Sequence, residues 1–159
     1  MQNEEKSVSG IGGWLILVVI GLIISPIRVG NLLITTYAPI FSDGAWEALT
    51  TPGSETYHVL WAPLLIFEIV GNLGIIVLAV LTLWHLLMKS KRTPRLAITY
   101  QSWMVLFVAI DFFAADLIPA VAAYDDTDSK KELMRGLFSA AIWIPYFFVS
   151  KRVKATFVH

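Results

Sequence analysis

No charged side chain falls between Lys6 and Arg28, between Arg28 and Asp43, between Glu68 and Lys89, or between Arg95 and Asp111. Apolar runs of about 18 residues or more read as bilayer spans, since about 20 helical residues at 1.5 Å each cover roughly 30 Å of hydrocarbon. Four such stretches can be drawn, at residues 11–40, 57–88, 96–124 and 133–150. Strands of a membrane barrel would alternate in polarity over about 10 residues, and nothing here alternates. The expectation is an all-α polytopic membrane protein, a single four-transmembrane-helix bundle over residues 1–159. Composition agrees, with 57% of residues hydrophobic and 15% charged, against about 45–50% and about 25% in an average globular domain.

The same composition narrows the chemistry. There is no cysteine, which removes disulfides, thiolate catalysis and Cys-ligated zinc. His58, His85 and His159 lie far apart, without metal-ligand spacing, and His85 reads as an interfacial histidine one turn before Lys89. Twelve basic and twelve acidic residues balance, so no electrostatic attraction to nucleic acid is expected. No Ser–His–Asp order, phosphate loop or metal constellation occurs, so neither an enzyme nor a cofactor site is expected. The first apolar run is longer than a signal-peptide core and lacks a small-residue cleavage site after it, so it is expected to stay as a span.

Orientation follows from Lys and Arg in the connections. Lys6, the 89–95 connection (Lys89, Lys91, Arg92, Arg95) and the tail (Lys151, Arg152, Lys154) place eight on one side. The other side has two, Lys130 and Lys131, beside an acidic set of Asp43, Glu47, Glu55, Asp125, Asp126, Asp128 and Glu132. Eight against two puts both termini in the cytoplasm. Aromatic residues fall where interfacial belts belong: Trp14, Trp84, Tyr100 and Trp103 toward the inner face, and Tyr37, Trp46, Tyr57, Trp61 and Tyr124 toward the outer. Small residues four apart, Gly21/Ser25 and Gly136/Ala140, are candidate points of close helix approach. Each span carries a proline, of which Pro26 and Pro63 could kink or interrupt their helices.

The informative residues are the charges at hydrocarbon depth, because one placed centrally costs about 2.5–3.5 kcal/mol. Arg28 and Asp111 each lie about 24 Å from the inner end of their spans, and Glu68 about 16 Å from the outer end of its own. Asp116 is one and a half turns beyond Asp111, and Arg135 follows the outer loop closely. With Asn72 one turn from Glu68, these residues form a candidate polar cluster in the outer half of the membrane. Asp111 and Asp116 are about 140° apart around the helix, so Asp111 is expected to face the bundle and Asp116 the outer vestibule or Arg135. Two readings stand. Arg28 and Arg135 neutralise Glu68 and Asp111 as register-setting ion pairs, or an outward-opening pocket binds a small charged solute, a proton or a lipid headgroup.

Several motifs are more specific. Ile11-Gly12-Gly13-Trp14-Leu15 opens the first span, followed by Pro26 and Arg28. The chain closes on Ile142-Trp143-Ile144-Pro145-Tyr146-Phe147 and Ser150-Lys151-Arg152-Val153-Lys154-Ala155-Thr156-Phe157. Together these resemble the bacterial inner-membrane family called domain of unknown function 2569, over nearly the whole chain. The resemblance implies a small four-helix membrane protein and supplies no catalytic residues. It also implies that the W-x-P-Y-F and S-x-R-V-x-x-T-F elements belong to the core architecture. By their own chemistry, Lys151, Arg152 and Lys154 suit an anionic membrane surface, and Val153, Phe157 and Val158 could dip into the interface as an anchor.

The functional expectation is a non-enzymatic membrane protein, an accessory or scaffold subunit working in the lipid bilayer with a membrane-protein partner or as a homodimer. The alternative is a homo-oligomeric small-solute or proton-coupled carrier with Glu68 as the coupling carboxylate.

Overall fold

The computed structural model describes residues 9–123 and 127–158. Lys6, Tyr124, Asp125, Asp126 and His159 therefore lie outside the described residues. The elements run in the order α1 (Trp14–Leu32), a π-helical turn (Leu33–Tyr37), α2 (Ala38–Ser42), α3 (Ala45–Thr50), α4 (Trp61–Leu87), α5 (Thr93–Ala115), α6 (Pro119–Ala122), α7 (Thr127–Val149) and α8 (Lys151–Thr156). No strand occurs among the described residues. Four spans are long and apolar enough to cross a membrane: Trp14–Ser42, Trp61–Leu87, Thr93–Ala115 and Thr127–Val149. The fold is an all-α bundle of four membrane-spanning helices.

Their outward surfaces make the same point. Ile16, Ile20, Ile23 and Ile27 on α1, and Val70, Val77, Val80 and Leu81 on α4, are all exposed. In water so much contiguous apolar surface would drive association; in hydrocarbon it is the solvated face.

Two span ends differ most from the sequence expectation. The third helix stops at Ala115 rather than reaching residue 124, because Pro119 forces Ile118 into extended backbone (φ −96°, ψ 113°). Ile118 is buried there while Asp116 is left exposed just past the helix end. The fourth helix begins at Thr127, six residues before the expected start at 133. Pro63 interrupts nothing. It sits in the first turn of α4, where its missing N–H would have had no helical acceptor. Pro26 and Pro145 lie inside α1 and α7.

The helices pack in sequence order, α1 against α4, α4 against α5, and α5 against α7. Between α4 and α5 the helices approach tightly at glycines other than the expected pairs. A Cβ on Gly71 would fall 2.0 Å from the Phe107 ring, and one on Gly74 would fall 3.1 Å from the Trp103 indole nitrogen. Gly21 and Gly136 would meet nothing within 4 Å. Phe107 packs in turn on Phe67, with ring centroids 5.2 Å apart. Ile75, Ala79, Leu86, Ala97 and Tyr100 continue this buried seam.

The two chain ends meet at one end of the bundle, called here the terminal end; the opposite one is the far end. The Gly10 N–H donates to the Thr156 hydroxyl (2.9 Å) and the Gly10 carbonyl accepts from Arg152 (3.5 Å). A Cβ on Gly12 would lie 3.0 Å from the Arg152 guanidinium, and Gly10 and Gly13 have positive φ, so the opening glycines give the space and backbone freedom this clasp uses. Ser150 caps α8, its hydroxyl accepting from the Val153 N–H at 3.3 Å. Val153 and Phe157 pack into the core cluster with Leu15 rather than into the membrane interface; of the expected anchor residues, Val158 alone is exposed.

Overpacking a tight seam typically costs about 1–3 kcal/mol, so Gly71→Ala is expected to lower the thermal midpoint in detergent, while Gly21→Ala leaves it unchanged or raises it. Trimming the obstacle in a Gly71→Ala/Phe107→Leu double variant should recover part of the loss.

Candidate functional site

One turn of α5 reaches the three other spans. The Tyr100 hydroxyl donates to Ser25 Oγ on α1 at 2.8 Å, and Gln101 Nε2 donates to Ser139 Oγ on α7 at 2.8 Å. The Trp103 indole N–H donates to the Gly71 carbonyl on α4 at 3.3 Å, which the missing glycine side chain leaves accessible. Successive residues project about 100° apart, so positions 100, 101 and 103 point to three neighbours. Tyr100 and Trp103 are thus interhelical donors rather than belt aromatics, Tyr100 being buried. Trp14 and Trp84 remain largely exposed, as interfacial residues are.

Because α1 and α7 form no continuous seam, a groove of about 910 Å³ opens between them, floored by α5 and α4. At the terminal end the groove is shut, where Trp14 meets Trp143 edge to face with centroids 6.1 Å apart and the glycine clasp lies beneath. Its polarity is graded along the bundle. Leu17, Val18, Ala97, Trp143 and Phe147 line the terminal half. The Tyr100–Ser25 and Gln101–Ser139 pairs cross at mid-depth, and Arg28, Asn31, Thr35, Asn72 and Glu132 line the far half.

The expected cluster is divided by the structure. Glu68 on α4 lies beside the Asp111 carboxyl on α5 and the Tyr37 hydroxyl. One proton between two carboxyl groups lets them bond to each other. Asp111 Oδ1 is buried without a partner. The π turn brings Tyr37 here; its wide hydrogen bond, Ala38 N–H to the Leu33 carbonyl, displaces the chain ahead of Pro39. Such π turns are frequent at functional sites. Tyr37 carries no sequence signal beyond its aromatic ring, and its role depends on that turn.

Arg28 and Arg135 do not join the carboxyl pair. Both are exposed, and among the described residues neither forms an ion pair. The helices place them on other faces, so the expected neutralising ion pairs do not form. Asp116 is exposed and likewise has no cationic partner among the described residues. Asn72 is buried, its amide donating to the Glu68 backbone carbonyl at 2.8 Å. It lines the groove, whereas Glu68, Asp111 and Tyr37 do not; Glu68 and Asn72 therefore serve different neighbours instead of one stripe. Among the described residues no group of three His, Asp or Glu side chains is placed to hold a metal ion.

The family described as "Protein of unknown function (DUF2569)" matches residues 8–158. The chain belongs to this family. It is also 30% identical over 152 residues to "Inner membrane protein YdgK" of Escherichia coli (strain K12), covering 94% of each chain. No solved structure matches. With its four apolar spans, this DUF2569 member is an inner-membrane protein. The opening glycines and closing S-x-R-V-x-x-T-F element on which the resemblance rested are the two halves of the clasp.

Interhelical hydrogen bonds in membranes average about 0.6 kcal/mol and reach about 1.7 kcal/mol. Tyr100→Phe and Ser25→Ala should each lower thermal stability modestly. In a double-mutant cycle read by thermal unfolding, the pair should lose less than the sum of the single variants.

Proposed function

We propose that this DUF2569 member is a non-enzymatic accessory protein of the inner membrane, with both termini cytoplasmic, whose open α1–α7 side receives a second molecule of the membrane. The observation that carries this reading is the groove. Its far half presents Arg28, Asn31 and Glu132, polar groups that isolated hydrocarbon would leave unsatisfied. An occupant satisfies them and covers the side that the bundle's own helices leave open. The Ser25 and Ser139 hydroxyls in the groove are engaged by Tyr100 and Gln101, which favours binding over catalysis. The positive charges of the 89–95 connection and the tail support the orientation.

A second reading, a proton-coupled carrier, has the Glu68–Asp111–Tyr37 contact in its favour, because carboxyl groups at hydrocarbon depth mark proton paths in many pumps and transporters. These groups lie apart from the groove, which makes this the weaker reading.

Native mass spectrometry of gently extracted protein is expected to find one additional membrane molecule, lipid or protein, on each chain; a bare monomer overturns the accessory reading. The absence of cysteine allows single thiols to report sidedness. Thr51→Cys should react with an impermeant reagent added outside the inner membrane, and Lys91→Cys should be protected until the membrane is opened. Glu68→Gln keeps a hydrogen-bonding group beside Asp111, so it should leave the protein folded; a proton-dependent phenotype lost in that folded variant would favour the carrier.

A further inference from the structure

The occupant of the groove can be narrowed by its shape and by the charges on its walls. A partner's spanning helix laid in the groove would have to carry opposite charges to meet both Arg28 and Glu132 at hydrocarbon depth. Such a helix would also have to pass Trp14 and Trp143, which close the terminal end. A molecule confined to one leaflet meets neither obstacle. The groove's volume falls within the about 300–1,000 Å³ of ligand pockets, and the gradation of the walls suits an amphiphile with its tail toward Trp143 and its head toward Arg28.

The head is specified by two charges. Arg28 lies about 21 Å along α1 from Trp14, and Glu132 about 25 Å along α7 from Val149. They face the same cavity from opposite walls, and among the described residues neither has an ion-pair partner. Had they been within 4 Å they would neutralise each other; held apart, they leave a cation and an anion at similar depth. Arg matches phosphate through its planar fork of donors, and an ammonium brings three donors to a carboxylate.

Resting on the reading that the open side receives a second molecule, we propose that the groove between α1 and α7 binds one zwitterionic phospholipid of the far leaflet, its phosphate on Arg28 and its primary ammonium toward Glu132. The acyl chains lie along Ile24, Gly21 and Met104, which line the cavity between Arg28 and its closed end. Gly21 lines the same channel with nothing within 4 Å of a built Cβ, which keeps the path open.

The test is native mass spectrometry of the delipidated full chain in detergent. It is titrated with phosphatidylethanolamine, phosphatidylcholine or phosphatidylglycerol of identical acyl chains. Phosphatidylethanolamine should bind one per chain and more tightly than the other two. Arg28→Gln should weaken it about tenfold, the loss of one charge-assisted hydrogen bond. Glu132→Gln should abolish the preference over phosphatidylglycerol while leaving phosphatidylglycerol binding intact. Gly21→Leu fills the channel from a position that touches nothing, so it should remove the bound lipid with thermal stability in detergent retained. It keeps the test decisive if Arg28→Gln fails to fold.

Phosphatidylglycerol binding equally or more tightly would overturn the headgroup assignment, and so would Gly21→Leu and a folded Arg28→Gln without effect. A second protein or a second copy of the chain retained in place of lipid would overturn the lipid and leave the open-side reading standing. Retention of neither would end both.

Discussion

The bundle hangs on a single turn of α5. Within hydrocarbon, helices gain little from hiding apolar side chains from one another, since lipid is as apolar as they are; packing and hydrogen bonds set which helix meets which. Tyr100, Gln101 and Trp103 supply one donor each to α1, α7 and α4. Three neighbours are thereby held by residues spanning about 4.5 Å of helix. The buried seam around Gly71, Gly74 and Phe107 reinforces only one of the three directions. Toward α1 and α7 the hydroxyl and amide contacts span the floor of a groove that no other helix fills.

That asymmetry shapes the rest of the molecule. Packed in sequence order around α5, α1 and α7 come together only where Trp14 meets Trp143 and where the clasp ties Gly10 to Thr156 and Arg152. The outcome is a structure closed at the end carrying the clasp and open on one side above it. The clasp also explains the glycines before the first span and the polar residues after the last: φ values of +101° and +55° at Gly10 and Gly13 suit residues without a Cβ, and the hydroxyl of Thr156 pairs a backbone N–H that no helix satisfies.

Much of the candidate site is legible in the amino-acid sequence, though only as an inventory. Arg28, Glu68, Asn72, Asp111, Asp116 and Arg135 stand out because charge and amide groups are costly at hydrocarbon depth. Depth follows from residue number alone. Rotation about the helix axis relative to neighbours does not, and it separates Glu68 and Asp111 from the arginines. The participation of Tyr37 requires the π turn before Pro39, whose extra residue changes which side chains face inward. The end of α5 falls short of the hydropathy expectation for a local reason, the effect of Pro119 on Ile118, which hydropathy averaged over a window conceals.

Hydrophobicity along the chain determined that this protein crosses the membrane four times as helices, because the cost of burying charge and unpaired backbone depends on composition and length alone. Which helices touch, which glycines permit approach and which polar groups meet depended on helix order, rotation and proline-induced breaks. Those are properties of relative position in three dimensions. Only the tertiary structure decided that two carboxyl groups sit together, that two arginines stay apart from them, and that one side of the bundle opens onto the lipid.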